Sequence, residues 1–171
     1  TLAAALPELR RPFGVAAIKA KPQTKPSESG DSLVTFYIDA RLAAERLNHA
    51  VGPENWSDGY RLLCEGSDAP ILGVPVECRL RVFDVLKTDV GQIQPGPLDD
   101  KAWKSAYSDA FKRAAVKFGI GAYLYALPHV WAQVVIGRDG KARGLTEAGW
   151  TKIRGAYTTW TRGTRGSGKH G

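Results

Sequence analysis

The eighteen residues Lys104–Gly121, reading KSAYSDAFKRAAVKFGIG, constrain this chain more than any other stretch. At about 100° per residue, Trp103, Ala106, Tyr107, Ala110, Phe111, Ala114 and Phe118 fall on one arc, with Lys101, Ser105, Ser108, Asp109 and Lys112 opposite. Arg113 and Lys117 stand at the border between the faces. Such a helix must lay its apolar arc on another layer of structure, and its polar side gathers cations around Lys112 and Arg113, with Lys101, Lys104 and Lys117 on the same helix. Periodicity alone fits two readings equally well, a solvated face or a grip on phosphates.

Charge distribution bears on that choice. The net charge is +7, but residues 1–98 carry −1, residues 99–136 carry +2, and residues 137–171 carry +6. A basic excess of this kind suits nucleic acid or an anionic surface. At 171 residues the chain is long enough for a core without disulfides. Its two cysteines, Cys64 and Cys78, form no Cys-x-x-Cys pair and have no histidine at zinc-finger spacing, which fits a reduced, cytosolic setting. No apolar run approaches the ~18 residues of a membrane span, and the opening residues lack signal-peptide features. A soluble, intracellular chain is expected.

Strand and turn signals divide the remainder. Gly14–Ala20 and Leu33–Ile38 read as two strands of a hairpin with a long, mobile polar tip at Lys21–Asp31. Leu2–Arg10 has the composition of a short helix, which Pro7 is expected to break. Asp39 caps a helix from Ala40 to about Ala50 that Gly52-Pro53 ends. Trp56–Cys64 and Leu72–Val85, joined by the turn Glu65–Pro70 and extended by Lys87–Gly91, read as an antiparallel meander. Within it Val74, Val76, Cys78, Leu80 and Val82 alternate with Glu77, Arg79 and Arg81. Beyond the Pro/Gly-broken Gln92–Leu98, Asp99 and Asp100 favour the start of the cationic helix. Val130–Ile136 reads as the final strand, Gly137–Gly140 as a turn, and Thr146-Glu147 as the start of a helix carrying Trp150, Ile153, Tyr157 and Trp160. Thr161–Gly171 is expected to lack regular structure.

Catalytic signatures are thin. Gly163–His170 matches a phosphate-binding loop until His170 replaces the magnesium-binding Ser or Thr, with no strand before it and no room for a helix after it. His49, His129 and His170 are scattered. Asp58, Glu77, Asp84 and Asp89 lie on or beside strands, where carboxylates ordinarily form a wet face; Glu77 between Arg79 and Arg81 reads as a cross-strand partner, and gathering around magnesium as in a nuclease is the less favoured reading. No cofactor, metal or catalytic group is assigned. The hairpin is more informative, because Lys19, Lys21 and Lys25 lie near Tyr37, and single strands are bound by pairing phosphate-tracking cations with stacking aromatics. Tyr37 as a core or strand-pair residue fits equally well.

Taken in order, Tyr37–Arg41, Gly52–Trp56, Val76–Val82, Asp89–Gly91 and Lys104–Gly119 resemble the Rad52 single-strand annealing proteins, a pattern shared by bacterial DNA-damage-response A proteins and phage recombinases. The resemblance covers about residues 8–127. It implies an α+β fold, a β-hairpin and antiparallel sheet packed on a long amphipathic helix, that assembles into rings or filaments, and it does not reach the C-terminal helix or tail. The residues themselves read as one domain over 1–160 followed by a flexible basic tail at 161–171. The resemblance places the paired helix cations at Lys112 and Arg113, the groove aromatic at Tyr37, and the hairpin cation at Lys19 or Lys21. One departure is Val116, where eukaryotic members carry an arginine; Lys117 beside it lies some 100° further round the helix.

The implied function is non-enzymatic and ATP-independent: binding of single-stranded DNA and annealing of complementary strands in recombination and break repair. The implied partners are single-stranded DNA, further copies of the chain, and a recombinase or single-strand-binding protein, in a cytoplasmic, nucleoid-associated setting. The alternatives are a DNA-end-protecting or partner-loading module that binds without annealing, and a metal-dependent nuclease.

Overall fold

A computed structural model describes residues 1–63, 74–93 and 100–166. The chain divides into two compact units, Thr1–Arg11 with Ile38–Ala122, and Pro12–Tyr37 with Tyr123–Gly171. The expected features at Cys64–Pro70, Leu72, Gln94–Asp99 and Ser167–His170 lie outside the described residues.

In the first unit the meander is three antiparallel strands in sequence order, β3 (Trp56–Leu62), β4 (Val74–Val82) and β5 (Val85–Ile93); β1 (Lys19–Pro22) and β2 (Asp31–Tyr37) belong to the second unit. Val76, Cys78, Leu80 and Val82 are fully buried, so the period-two pattern reported the covered face correctly. The helix α3 (Asp100–Val116) lies across that face. Gly91 of β5 allows the close fit: a Cβ there would run into the carbonyl oxygen of Ala106 and stand 2.6 Å from the Ala110 nitrogen. Trp56 and Tyr60 of β3 pack in tilted contacts against Phe111 and Tyr107 of α3, with ring centroids 5.9 and 4.8 Å apart. Helix α2 (Ala40–Val51) packs against α3 and against α1 (Leu2–Arg10), burying Leu9, Ala43 and Leu47.

Two boundaries in this unit differ from expectation. The strand expected over Leu72–Val85 turns at Phe83-Asp84, where Phe83 takes a φ of 53° and its N–H donates to the Asn55 carbonyl. A turn without Gly or Asn at its positive-φ position leaves little sequence trace. Helix α1 runs through Pro7, because Pro7 and Ala3, whose carbonyl loses its helical donor, both lie on the exposed side. Asp39 caps α2 as expected, accepting from the Leu42 N–H at 2.9 Å.

The second unit holds a four-stranded sheet in the order β1 (Lys19–Pro22), β2 (Asp31–Tyr37), β6 (Val130–Ile136), β7 (Ala142–Leu145), all antiparallel. Helix α4 (Glu147–Gly166) covers one face, where Ala20, Val34, Val130, Ala132, Leu145 and Ile153 form the core. Its N-terminus is capped by Thr146, whose Oγ1 accepts from the Gly149 N–H. The buried Tyr157 hydroxyl donates to the Phe13 carbonyl at 2.6 Å and pairs with the Tyr123 hydroxyl at 2.8 Å.

Here too the outcome departs from the sequence reading in places. The first hairpin strand begins at Lys19, since Val15–Ala17 form a 3-10 turn. The hairpin tip, expected to be mobile, is tied down. Gln23 N–H donates to the Leu33 carbonyl, buried Ser32 donates to the Thr24 carbonyl at 2.8 Å, and Leu33 N–H donates to Thr24 Oγ1. Val130–Ile136 is not the last strand, because Ala142–Leu145 pairs with it. Helix α4 continues past Thr161 to Gly166, so the start of the Gly163–His170 loop match is helical.

Candidate nucleic-acid interface

On α3 the cations separate into two rows. Lys101 and Lys104 are exposed near the start of the helix, and Lys112, on the same side two turns on, stands 4.0 Å from Asp109. Arg113 and Lys117, one turn apart, both lean toward β5, where Asp89 receives Arg113 Nε at 3.0 Å and Lys117 Nζ at 3.1 Å. Lys117 Nζ also donates to the Thr88 carbonyl. Three groups therefore hold one carboxylate, since the Val90 N–H donates to it as well at 2.8 Å.

The Asp89 carboxyl titrates below the usual carboxylate range. Burial works against this, and the hydrogen bonds from the Val90 N–H, Lys117 and Arg113 outweigh it. The helix border residues are thus positioned by a strand residue distant in sequence. Lys117, on a different helical azimuth from Lys112, shares its azimuth and its partner with Arg113.

The carboxylates weighed as a metal cluster do not come together. Asp58 and Asp89 point to the α3 side of the meander, Glu77 lies on the opposite face in an ion pair with Arg61 at 3.4 Å, and Asp84 sits in the β4–β5 turn. Asp58 accepts from the Tyr60 hydroxyl at 2.6 Å. Burial, then that hydrogen bond and the Asp58 charge, raise the Tyr60 hydroxyl above its ordinary range and keep it a donor. Burial first, and the Asp58 charge next, push the Cys78 thiol up to about 12.

In the second unit Lys19 and Lys21 are exposed on the face of the sheet that α4 leaves open. Tyr37 stands directly across from Lys19, and its ring lies 5.8 Å from Lys21 Nζ. A cation–aromatic contact of this kind at an exposed site contributes about 0.5–1 kcal/mol. Tyr37 is therefore a strand-pair residue that also presents its ring beside the hairpin cations.

Sequence reasoning missed Asp89 as the partner of the helix cations, which no local pattern signals. It also passed over Trp131, which is 48% exposed on β6. Here a signal existed, because Trp131, Gln133 and Val135 alternate with the buried Val130, Ala132 and Val134.

An antiparallel meander carrying a cationic helix, together with a hairpin that displays lysines and a tyrosine, places the chain among the α+β proteins. Residues 2–142 match the model of the Rad52/22 family double-strand break repair protein, and the chain belongs to that family. Two relatives carry the name single-stranded DNA-binding protein DdrA. The one from Deinococcus radiodurans is 39% identical over 124 residues, covering 72% of this chain and 56% of the relative. The one from Deinococcus deserti is 39% identical over 123 residues, covering 72% and 57%. The chain thus spans little more than half the length of either. Among the described residues no helix is long and apolar enough to cross a membrane.

Proposed function

We propose that this chain binds single-stranded DNA through phosphate contacts from α3 and the β1–β2 hairpin, and anneals complementary strands without ATP during recombination and break repair. The observation that carries the reading is the cationic side of α3, where Lys112 and Arg113 lie on a helix that Gly91 lets settle closely on β5, with Lys117 just past its C-terminal end. Lys101 and Lys104 extend this cationic side toward the helix N-terminus. Family membership and the name borne by both relatives support the same ligand. The proposed assembly is a homo-oligomeric ring or filament in the cytoplasm, at the nucleoid, open to a recombinase or single-strand-binding partner. Many subunits each making a few phosphate contacts then add up to tight binding, and no covalent step is required.

Binding of a fluorescent oligonucleotide across a salt series tests this. The wild type is expected to bind with a steep salt dependence, and Lys112→Ala with Arg113→Ala to flatten the log–log slope by about 1.4, at about 0.7 per lost phosphate contact. Unchanged affinity and slope would show that α3 is not the interface. Since the relatives' name speaks of binding alone, an annealing assay with two complementary oligonucleotides separates an annealing protein from an end-protecting or loading module.

A further inference from the structure

Strand β6 divides its side chains cleanly. Val130, Ala132 and Val134 are buried beneath α4, whereas Trp131 and Val135 are 48% and 49% exposed on the opposite face. A register shift at Val135/Ile136 turns Ile136 outward as well, also at 49%. Trp131 pairs with Leu33 of β2, whose neighbours on the same face are Thr35 and Tyr37; Thr35 pairs with Lys21 and Tyr37 with Lys19 of β1. The open face therefore runs from two lysines at one edge, past a tyrosine, to a half-exposed tryptophan two strands away. At about 4.8 Å per strand and 3.4 Å per residue along it, the Lys21 and Lys19 positions stand roughly 12 and 17 Å from that of Trp131.

A large aromatic side chain left in solvent on a sheet face costs hydrophobic free energy unless something covers it. Charge indicates what that is. The flank nearest Tyr37 is cationic, and the only carboxylate that the described strand residues place on this face, Asp31 at the far end of β2, accepts a hydrogen bond from Ser29 at 3.2 Å. A lysine edge beside a tyrosine and a tryptophan suits a ligand with an anionic backbone and flat bases. We propose that the open face of this sheet is a base-stacking platform centred on Trp131, with Lys19 and Lys21 following the backbone of a single strand whose bases turn toward β6. This inference rests on the single-strand reading above and adds to the hairpin's phosphate contacts a contact with bases, supplied by β6.

The test compares wild type, Trp131→Phe and Trp131→Ala on oligo(dT) and on an abasic oligonucleotide of equal length, with a salt series and a mass measurement for each. Wild type should prefer the base-bearing strand, and part of its tryptophan fluorescence should be quenched on binding. Trp131→Phe should lose that quenching and keep most of the affinity. Trp131→Ala should bind oligo(dT) about tenfold more weakly, with an unchanged salt slope and no preference over the abasic strand. If wild type binds but Trp131→Ala matches it on both strands, the platform is wrong while the α3 interface stands. If wild type binds no single strand, the functional reading itself falls. If Trp131→Ala lowers the mass of the assembly, the face is a subunit contact and the platform is overturned. Because Trp131→Phe retains the ring, a folding defect confined to the alanine variant leaves the quenching and abasic comparisons decisive.

Discussion

Arg113 on α3 and Asp89 on β5, 24 residues apart in sequence, meet at 3.0 Å between Nε and Oδ1, and the same carboxylate takes Lys117 at 3.1 Å. Asp89 occupies the place on these cations that a phosphate oxygen takes in the proposed interface. It aligns the two side chains and also neutralises part of their charge.

Replacing Asp89 by Asn should therefore separate stability from binding. The variant loses the ion pairs and becomes less stable, yet the Asp89 charge no longer competes with phosphate for Arg113 and Lys117, so single-strand binding should depend more steeply on salt than in wild type. Urea melts and a salt series on one preparation would show both effects, and a slope shallower than wild type would contradict the second.

The pH dependence has a definite sign. The folded carboxyl of Asp89 titrates below its ordinary value of 3.8, so its contribution is fully present above that value and is lost as pH falls through the lower, folded value. Thermal melts from pH 6 downward should show wild type losing stability below about pH 4 more steeply than Asp89→Asn.

The two helix rows predict a contrast in coupling. A double-mutant cycle between Asp89 and Arg113 should give about 1 kcal/mol, and the Asp89–Lys117 cycle a similar value. The cycle between Asp89 and Lys112, whose carboxylate neighbour is Asp109, should give close to zero. Equal values for all three would mean that Asp89 acts only through a diffuse field.

Gly91→Ala forces a methyl group against the backbone of α3 at Ala106 and Ala110 and should cost about 1–3 kcal/mol or more. Gly59→Ala is the control, since a Cβ there meets nothing within 4 Å. Guanidinium unfolding should show a large loss for the first and little change for the second.

Cys78 is fully buried, with its thiol pushed up to about 12, so at pH 8 it should be inert to thiol reagents in the native protein. In a Cys64→Ser background, labelling should follow global unfolding. Rapid labelling of the folded protein would show that the α3–meander core opens locally.

What the sequence determined by itself were the features written in local periodicity and capping. The alternation through Val76, Cys78, Leu80 and Val82, the apolar arc of α3, the Asp39 cap and the span of β6 are all set by which neighbours along the chain share a face. The ordered motifs from Tyr37 to Gly119 carried the family. Local pattern failed where its cue was weak or contrary, at the Phe83-Asp84 turn and at Pro7 in α1. Tertiary structure decided the rest. Periodicity showed that Arg113 and Lys117 lie at the helix border but not that Asp89 stands opposite, because that meeting depends on how closely Gly91 lets α3 settle on β5. It showed two faces of β6 but not which one α4 covers, and so not that Trp131 is left in the open. A face can be read from spacing along one chain segment; the partner that meets it is set by packing between segments far apart in sequence.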